Sequence, residues 1–137
     1  MKTVLFVCVH NAGRSQMAEG FLRAQAKERG VAVAAESAGT LGEGSLNPTA
    51  VEAMREAGVP IDSQRPTALS KEMVERADLI VSMGCGVDAA ACPAKFLVTE
   101  DWGLDDPAGQ PIEVVRGIRD QIRDRVADLL DRLSACR

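Results

Sequence analysis

The chain has 137 residues, a formal net charge of −4 and 46% hydrophobic residues. That length suits one domain around one core, residues 1–137, and the hydrophobic fraction makes the core sizeable enough to need no staples. Acidic and basic residues are interspersed, the mark of solvated helix faces, and the basic stripe of a nucleic-acid partner is missing. The apolar run Val4–Val9 is too short to span a membrane and lacks the flanks of a signal peptide, so a cytoplasmic protein is expected. Four cysteines in that compartment suggest catalysis or metal binding more than structural disulfides.

In chain order, Thr3–Val9 reads as a buried parallel strand, being β-branched and apolar almost throughout. A helix follows from about Ser15 to Arg29, with Gly30 as its stop. Val31–Ala35 reads as a second strand. Asn47 and Pro48 have the pattern of an N-cap and first helical position, opening a helix to about Ala57 before Gly58. Ser70–Ala77 is a short helix, and Asp78–Met83 and Lys95–Thr99 are the third and fourth strands. Trp102–Gln110 is a loop broken by Pro107 and Gly109. The last segment is a helix, with Ile112, Val115, Ile118, Ile122, Val126, Leu129 and Leu133 at steps of three and four. Alternating strands and helices predict an α/β fold, a four-stranded parallel sheet covered on both faces. Ligands in such folds bind beyond the carboxyl ends of the strands, where Cys8 falls.

The segment Cys8-Val9-His10-Asn11-Ala12-Gly13-Arg14-Ser15 has the form Cys-x5-Arg-Ser between a strand and a helix. Such a loop turns successive backbone N–H groups inward, here those of Val9 through Arg14, and the helix dipole adds to their pull on a tetrahedral oxyanion. Arg14 offers a planar fork for two oxygens. Loop and arginine together favour the Cys8 thiolate, to which the Ser15 hydroxyl can donate. Gly13 allows close backbone approach, Asn11 braces the loop and His10, the sole histidine, shapes it. The bland alternative, a buried cysteine with an unrelated arginine, leaves the placement of the motif unexplained.

Cys8 to Gly20 resembles the oxyanion loop of low-molecular-weight protein tyrosine phosphatases, and more closely that of the thioredoxin-coupled arsenate reductases on the same fold. The resemblance extends through Glu36-Ser37-Ala38-Gly39, Asn47-Pro48, a Cys-x6-Cys pair and Trp102–Gly109. It implies reduction of arsenate to arsenite, with Cys8 as nucleophile and Asp106, before Pro107, as general acid. By itself Asp105-Asp106-Pro107 would read as a turn, and Asp105 is a rival or tuner of the acid. The resemblance makes Cys85 and Cys92 a resolving pair recharged by thioredoxin. Were that segment helical, ~1.5 Å per residue would part the thiols by about 10 Å, beyond the ~7 Å between Cα atoms that a disulfide tolerates. It would have to unwind, and Gly84 and Gly86 ease that. Without the resemblance the pair would be two small buried residues or an incomplete zinc site. Cys136 has no part.

Weak hydrolysis of small phosphate esters is also expected, because the loop cannot strongly distinguish two tetrahedral oxyanions, and a monomer with no bound cofactor is expected. A tyrosine phosphatase is the first alternative, but Ala108 and Gly109 stand where aromatic residues would flank a phosphotyrosine, and the chain has no tyrosine. A reductase using a small thiol and a glutaredoxin-like partner is the second. A binding module that senses the oxyanion is the third, and it leaves Asp106 unexplained. Some members of the family hold potassium through an asparagine, a glutamate, a serine and an aspartate. Asn11, Glu19 and Ser37 match, but the aspartate position falls at Thr67, so no metal is expected. A further departure is one extra residue, Gly84, before Cys85.

Overall fold

The computed structural model describes residues 2–8, 10–40, 44–83, 100–105 and 107–135. Val9, Cys85, Cys92, Asp106 and Cys136, and the strand expected at Lys95–Thr99, lie outside them. The elements run β1 (Lys2–Cys8), α1 (Arg14–Arg29), β2 (Val33–Gly39), α2 (Pro48–Glu56), α3 (Lys71–Arg76), β3 (Leu79–Ser82), β4 (Glu100–Asp101) and α4 (Ile112–Ala135). All four strands are parallel, in the order β2-β1-β3-β4. Three are long, and the fourth is a two-residue pairing of Glu100 and Asp101 with Val81 and Ser82.

β1 is central, and its residues alternate between two cores as the twofold period of a strand requires. Val4, Phe6 and Cys8 enter the larger core with Met17, Phe21 and Leu22 of α1 and Val115, Ile118, Ile122, Val126 and Leu129 of α4. Leu5 and Val7 enter the smaller core with Leu69, Met73 and Ile80. Burial on both faces is why the β1 sequence is an almost unbroken apolar run. Phe6 meets Trp102 with ring centroids 5.5 Å apart and planes tilted by 53°, an arrangement aromatic quadrupoles favour.

The second strand differs from its expected span. It starts at Val33 and ends at Gly39, not at Val31 and Ala35. Gly30 takes the left-handed conformation (φ 68°), and the Val31 N–H returns to the Ala26 carbonyl at 2.9 Å. Closing α1 thus uses the two residues that hydrophobicity assigned to the strand. At the other end, pairing with β1 continues residue by residue until Cys8 faces Gly39, which draws Glu36–Gly39 into the sheet. The other helices follow expectation. The Asn47 side chain accepts from the N–H groups of Thr49 and Ala50, with Pro48 at the first turn, and Ser70 caps α3 through the Met73 N–H. Among the described residues no helix is long and apolar enough to cross a membrane.

Candidate active site

β1 ends at Cys8 and α1 begins at Arg14, so four described loop residues and the first helical turn wrap the cysteine. The loop is tied from outside. The Thr40 N–H donates to the Cys8 carbonyl at 3.1 Å and the Asn47 N–H to the Ala12 carbonyl at 2.8 Å. A cleft of about 50 Å³ opens over it, lined by Cys8, His10, Ala12, Gly13 and Arg14, with Asn47, Pro107 and Ala108 on the far side.

The Cys8 thiol is buried and meets two hydrogen-bonding partners. The Ser15 Oγ lies 2.8 Å from Sγ, and the Asn11 N–H donates to Sγ at 3.2 Å. Asn11 reaches this position in the left-handed region (φ 54°), the one described residue other than glycine to do so. Asparagine tolerates that conformation better than most residues. Its side chain points away from the cleft. The Nδ2 donates to Ser15 Oγ at 2.7 Å, while Oδ1 accepts from the Gln16 Nε2 at 3.0 Å and the Thr67 N–H at 2.8 Å. The bracing role expected of Asn11 is thus made through specific partners.

Arg14 is also buried. Its Nη1 donates to the Met83 carbonyl at 3.2 Å and the Leu104 carbonyl at 2.7 Å. These bonds join the end of β3 and the loop after β4 to the anion loop and fix the plane of the guanidinium at the cleft. Gly13 answers a different need. A Cβ there would stand 2.9 Å from Pro107 Cγ, so the glycine lets the loop carrying the Asp-Pro sequence press against the oxyanion loop. Asp105 is exposed.

Asn11, Glu19, Ser37 and Thr67 do not fit a potassium ion. The Asn11 Oδ1 already accepts two N–H donors, and Thr67 Oγ1 donates to the Arg65 carbonyl. Glu19 and Ser37 do meet, with Ser37 Oγ donating to Glu19 Oε1 at 2.5 Å. The other carboxylate oxygen faces a guanidinium, Arg23 Nη2, at 2.8 Å. Burial pushes the Glu19 carboxyl above its ordinary value; Ser37 and Arg23 pull it down and Glu36 pushes it up further. A shallow polar cavity of about 600 Å³ opens beside this pair, between Arg23, Glu36, Arg65 and Arg76, and does not reach Cys8. The cleft at Cys8 and the larger hollow are separate, with no lining residue in common.

The structure brings together Cys8, His10, Asn11, Ala12, Gly13, Arg14 and Ser15 as expected. Sequence reasoning missed Gln16, Gln64, and the Met83 and Leu104 carbonyls. Gln16 carries no signal that separates it from a solvent-facing glutamine, because its partners Gln64 and Arg65 are 48 and 49 positions away.

A strand ending in a buried, hydrogen-bonded cysteine, a loop opening a helix, and an arginine held over the same cleft make up one compact thiol site on a parallel α/β sheet. The profile of the low molecular weight phosphotyrosine protein phosphatase family matches residues 3–136, and the chain belongs to that family. Its relatives include a protein from Synechocystis sp. named glutaredoxin arsenate reductase, 38% identical over 135 residues, covering 98% of this chain and all of the relative. A Bacillus licheniformis arsenate reductase is 39% identical, covering 91% and 92%. A solved structure described as an arsenate reductase in the phosphate binding state superposes with a TM-score of 0.81 at 36% identity, covering 96% of this chain and 98% of the other.

Proposed function

We propose that this single-domain protein is a cytoplasmic arsenate reductase, working as a monomer with Cys8 as nucleophile and thioredoxin as electron donor. The observation that carries the reading is the hydrogen bonding of Cys8: a buried sulfur that receives the Asn11 N–H and lies 2.8 Å from Ser15 Oγ, at the mouth of a helix. Hydrogen bonds to the charged form of a group favour that form, and a helix N-terminus does the same for a thiolate. Arsenate docks against the N–H groups of the loop and Arg14. The thiolate attacks arsenic, Asp106 protonates the departing oxygen, and water leaves.

Cys85 then attacks Cys8. The arsenic departs with the sulfur–arsenic electron pair as arsenite, and a Cys8–Cys85 disulfide remains. Cys92 attacks Cys85, the Cys8 thiolate is released, and the Cys85–Cys92 disulfide awaits reduction by a dithiol. No cofactor or metal takes part. Phosphate is a tetrahedral oxyanion too, and membership of the phosphatase family supports slow hydrolysis of small phosphate esters by the first half of the same machinery.

One observation favours a second reading of the electron donor, the name glutaredoxin arsenate reductase borne by the Synechocystis relative. Arsenate-dependent NADPH oxidation separates the two. Turnover with thioredoxin and thioredoxin reductase, lost in Cys92→Ser with a Cys8–Cys85 bond trapped, is the expected result. Turnover only with a small thiol and glutaredoxin, unaffected by Cys92→Ser, assigns the other donor. Failure with both, beside brisk hydrolysis of an aryl phosphate, overturns the reductase reading.

A further inference from the structure

The geometry points to Gln16 and Gln64 as positioning residues that set the protonation of Cys8 from outside the oxyanion loop. The inference rests on the proposed thiolate chemistry and deepens it. Five side chains form one line of hydrogen bonds, Gln64 to Gln16 to Asn11 to Ser15 to Cys8, and its direction is dictated by backbone groups that can act in only one sense.

The Thr67 N–H can only donate, so the Asn11 atom it meets at 2.8 Å is Oδ1. The opposite end of that amide, Nδ2, must then face Ser15 Oγ. With its oxygen receiving that bond, Ser15 keeps its own proton for the sulfur 2.8 Å away. Gln16 is held just as firmly. Its Nε2 meets the carbonyls of Asn11 and Arg65, at 3.0 and 2.9 Å, which only accept. Its Oε1 therefore turns to Gln64, whose Nε2 donates to it at 2.6 Å and to the Gln16 carbonyl at 3.1 Å. Four backbone groups thus leave each amide a single orientation.

Gln16 thereby does two things at Cys8. It holds Oδ1 of Asn11, and so the polarity of the line that ends in donation to sulfur. It also holds the Asn11 carbonyl, and so the left-handed turn (φ 54°) that aims the Asn11 N–H at the same sulfur. Gln16 is buried and touches neither the cleft nor its contents. Gln64, half-buried on the segment between α2 and α3, fixes Gln16 and ties that segment to the site.

The test is the pH profile of Cys8 alkylation by iodoacetamide in the reduced protein, read at the Cys8 peptide by mass spectrometry because the chain has four cysteines. Gln16→Met and Gln64→Leu remove the amides without adding charge, and leave His10 and Arg14, the other titratable groups lining the cleft, in place. Losing a hydrogen bond's worth of thiolate stabilisation slows alkylation at about pH 6 by roughly threefold to tenfold and moves the profile upward accordingly. Gln25→Leu, on the same helix but bonded only at the surface, leaves the profile unchanged. If Gln16→Met fails to fold, Gln64→Leu at the outer end of the line carries the test. Folded variants with the wild-type profile overturn the inference, and so does an equal shift in Gln25→Leu. An ordinary thiol profile in the wild-type protein instead overturns the thiolate reading itself, a distinguishable result.

Discussion

Replacing Gly13 by alanine tests how the two halves of the site are held together. The added Cβ would lie 2.9 Å from Pro107 Cγ. Carbon atoms in contact prefer ~3.5–4.0 Å, so Pro107 must retreat by roughly 0.6–1.1 Å. Overpacking of this kind costs about 1–3 kcal/mol, a melting shift that calorimetry resolves. The functional effect is the sharper one. Pro107 directly follows Asp106, so the displacement carries the proposed acid away from the oxygen it must protonate. A misplacement of ~1 Å costs about 10²-fold in rate, so turnover with arsenate falls about 10- to 100-fold. Alkylation of Cys8 needs no acid and stays near the wild-type rate. Turnover within about twofold of wild type, in a protein whose melt registers the overpacking, would refute the idea that this contact places the acid. A parallel loss of alkylation would refute it differently, by showing that the substitution had distorted the oxyanion loop itself.

The remaining predictions concern the proton donor and the buried carboxylate. Asp106→Asn lowers arsenate turnover by about 10²-fold or more while Asp105→Asn changes it little, because positioned general acids contribute ~10²–10⁴-fold and Asp105 is exposed; steady-state kinetics of the two variants decide between them. For Glu19 the folded pKa is raised, chiefly by burial. The folded state therefore holds that proton more tightly than the unfolded chain. The stability this contributes is full below the ordinary carboxylate range and is lost as pH rises through the raised value. Glu19→Gln keeps an acceptor for Ser37 Oγ and removes the desolvated charge. It should be neutral or stabilising by roughly 1 kcal/mol at neutral pH and should flatten the stability profile just above the ordinary glutamate range. A clear loss of stability on urea titration at neutral pH would show that the Glu19–Arg23 ion pair outweighs the burial.

Much of the molecule was legible in its sequence, for reasons that are local. The almost unbroken apolar run of Thr3–Val9, the period near 3.6 from Ile112 to Leu133, the Asn47-Pro48 cap and the left-handed Gly30 each follow from the chemistry of a few neighbouring residues. The oxyanion loop is local as well: Cys8, Asn11, Arg14 and Ser15 lie within eight positions, and the strand and helix on either side bring them together. The extent of β2 was not legible, because it depends on where helix closure stops using residues and on how far β1 offers pairing partners. The setting of the loop depended on still longer contacts. Gln64, the Arg65 carbonyl and the Thr67 N–H orient Gln16 and Asn11. The Met83 and Leu104 carbonyls fix Arg14, and Pro107 fits against the hydrogen of Gly13. Cys8, Asn11, Arg14 and Ser15 could be picked out as candidates from the sequence because they sit within one loop, whereas Asp106, Cys85 and Cys92 lie far from it in the chain and were singled out through the family resemblance. The way the Asn11 and Gln16 amides and the Ser15 hydroxyl point was set by the fold instead, because a hydrogen bond has a direction, and the Arg65 carbonyl and Thr67 N–H that impose it lie about fifty residues away.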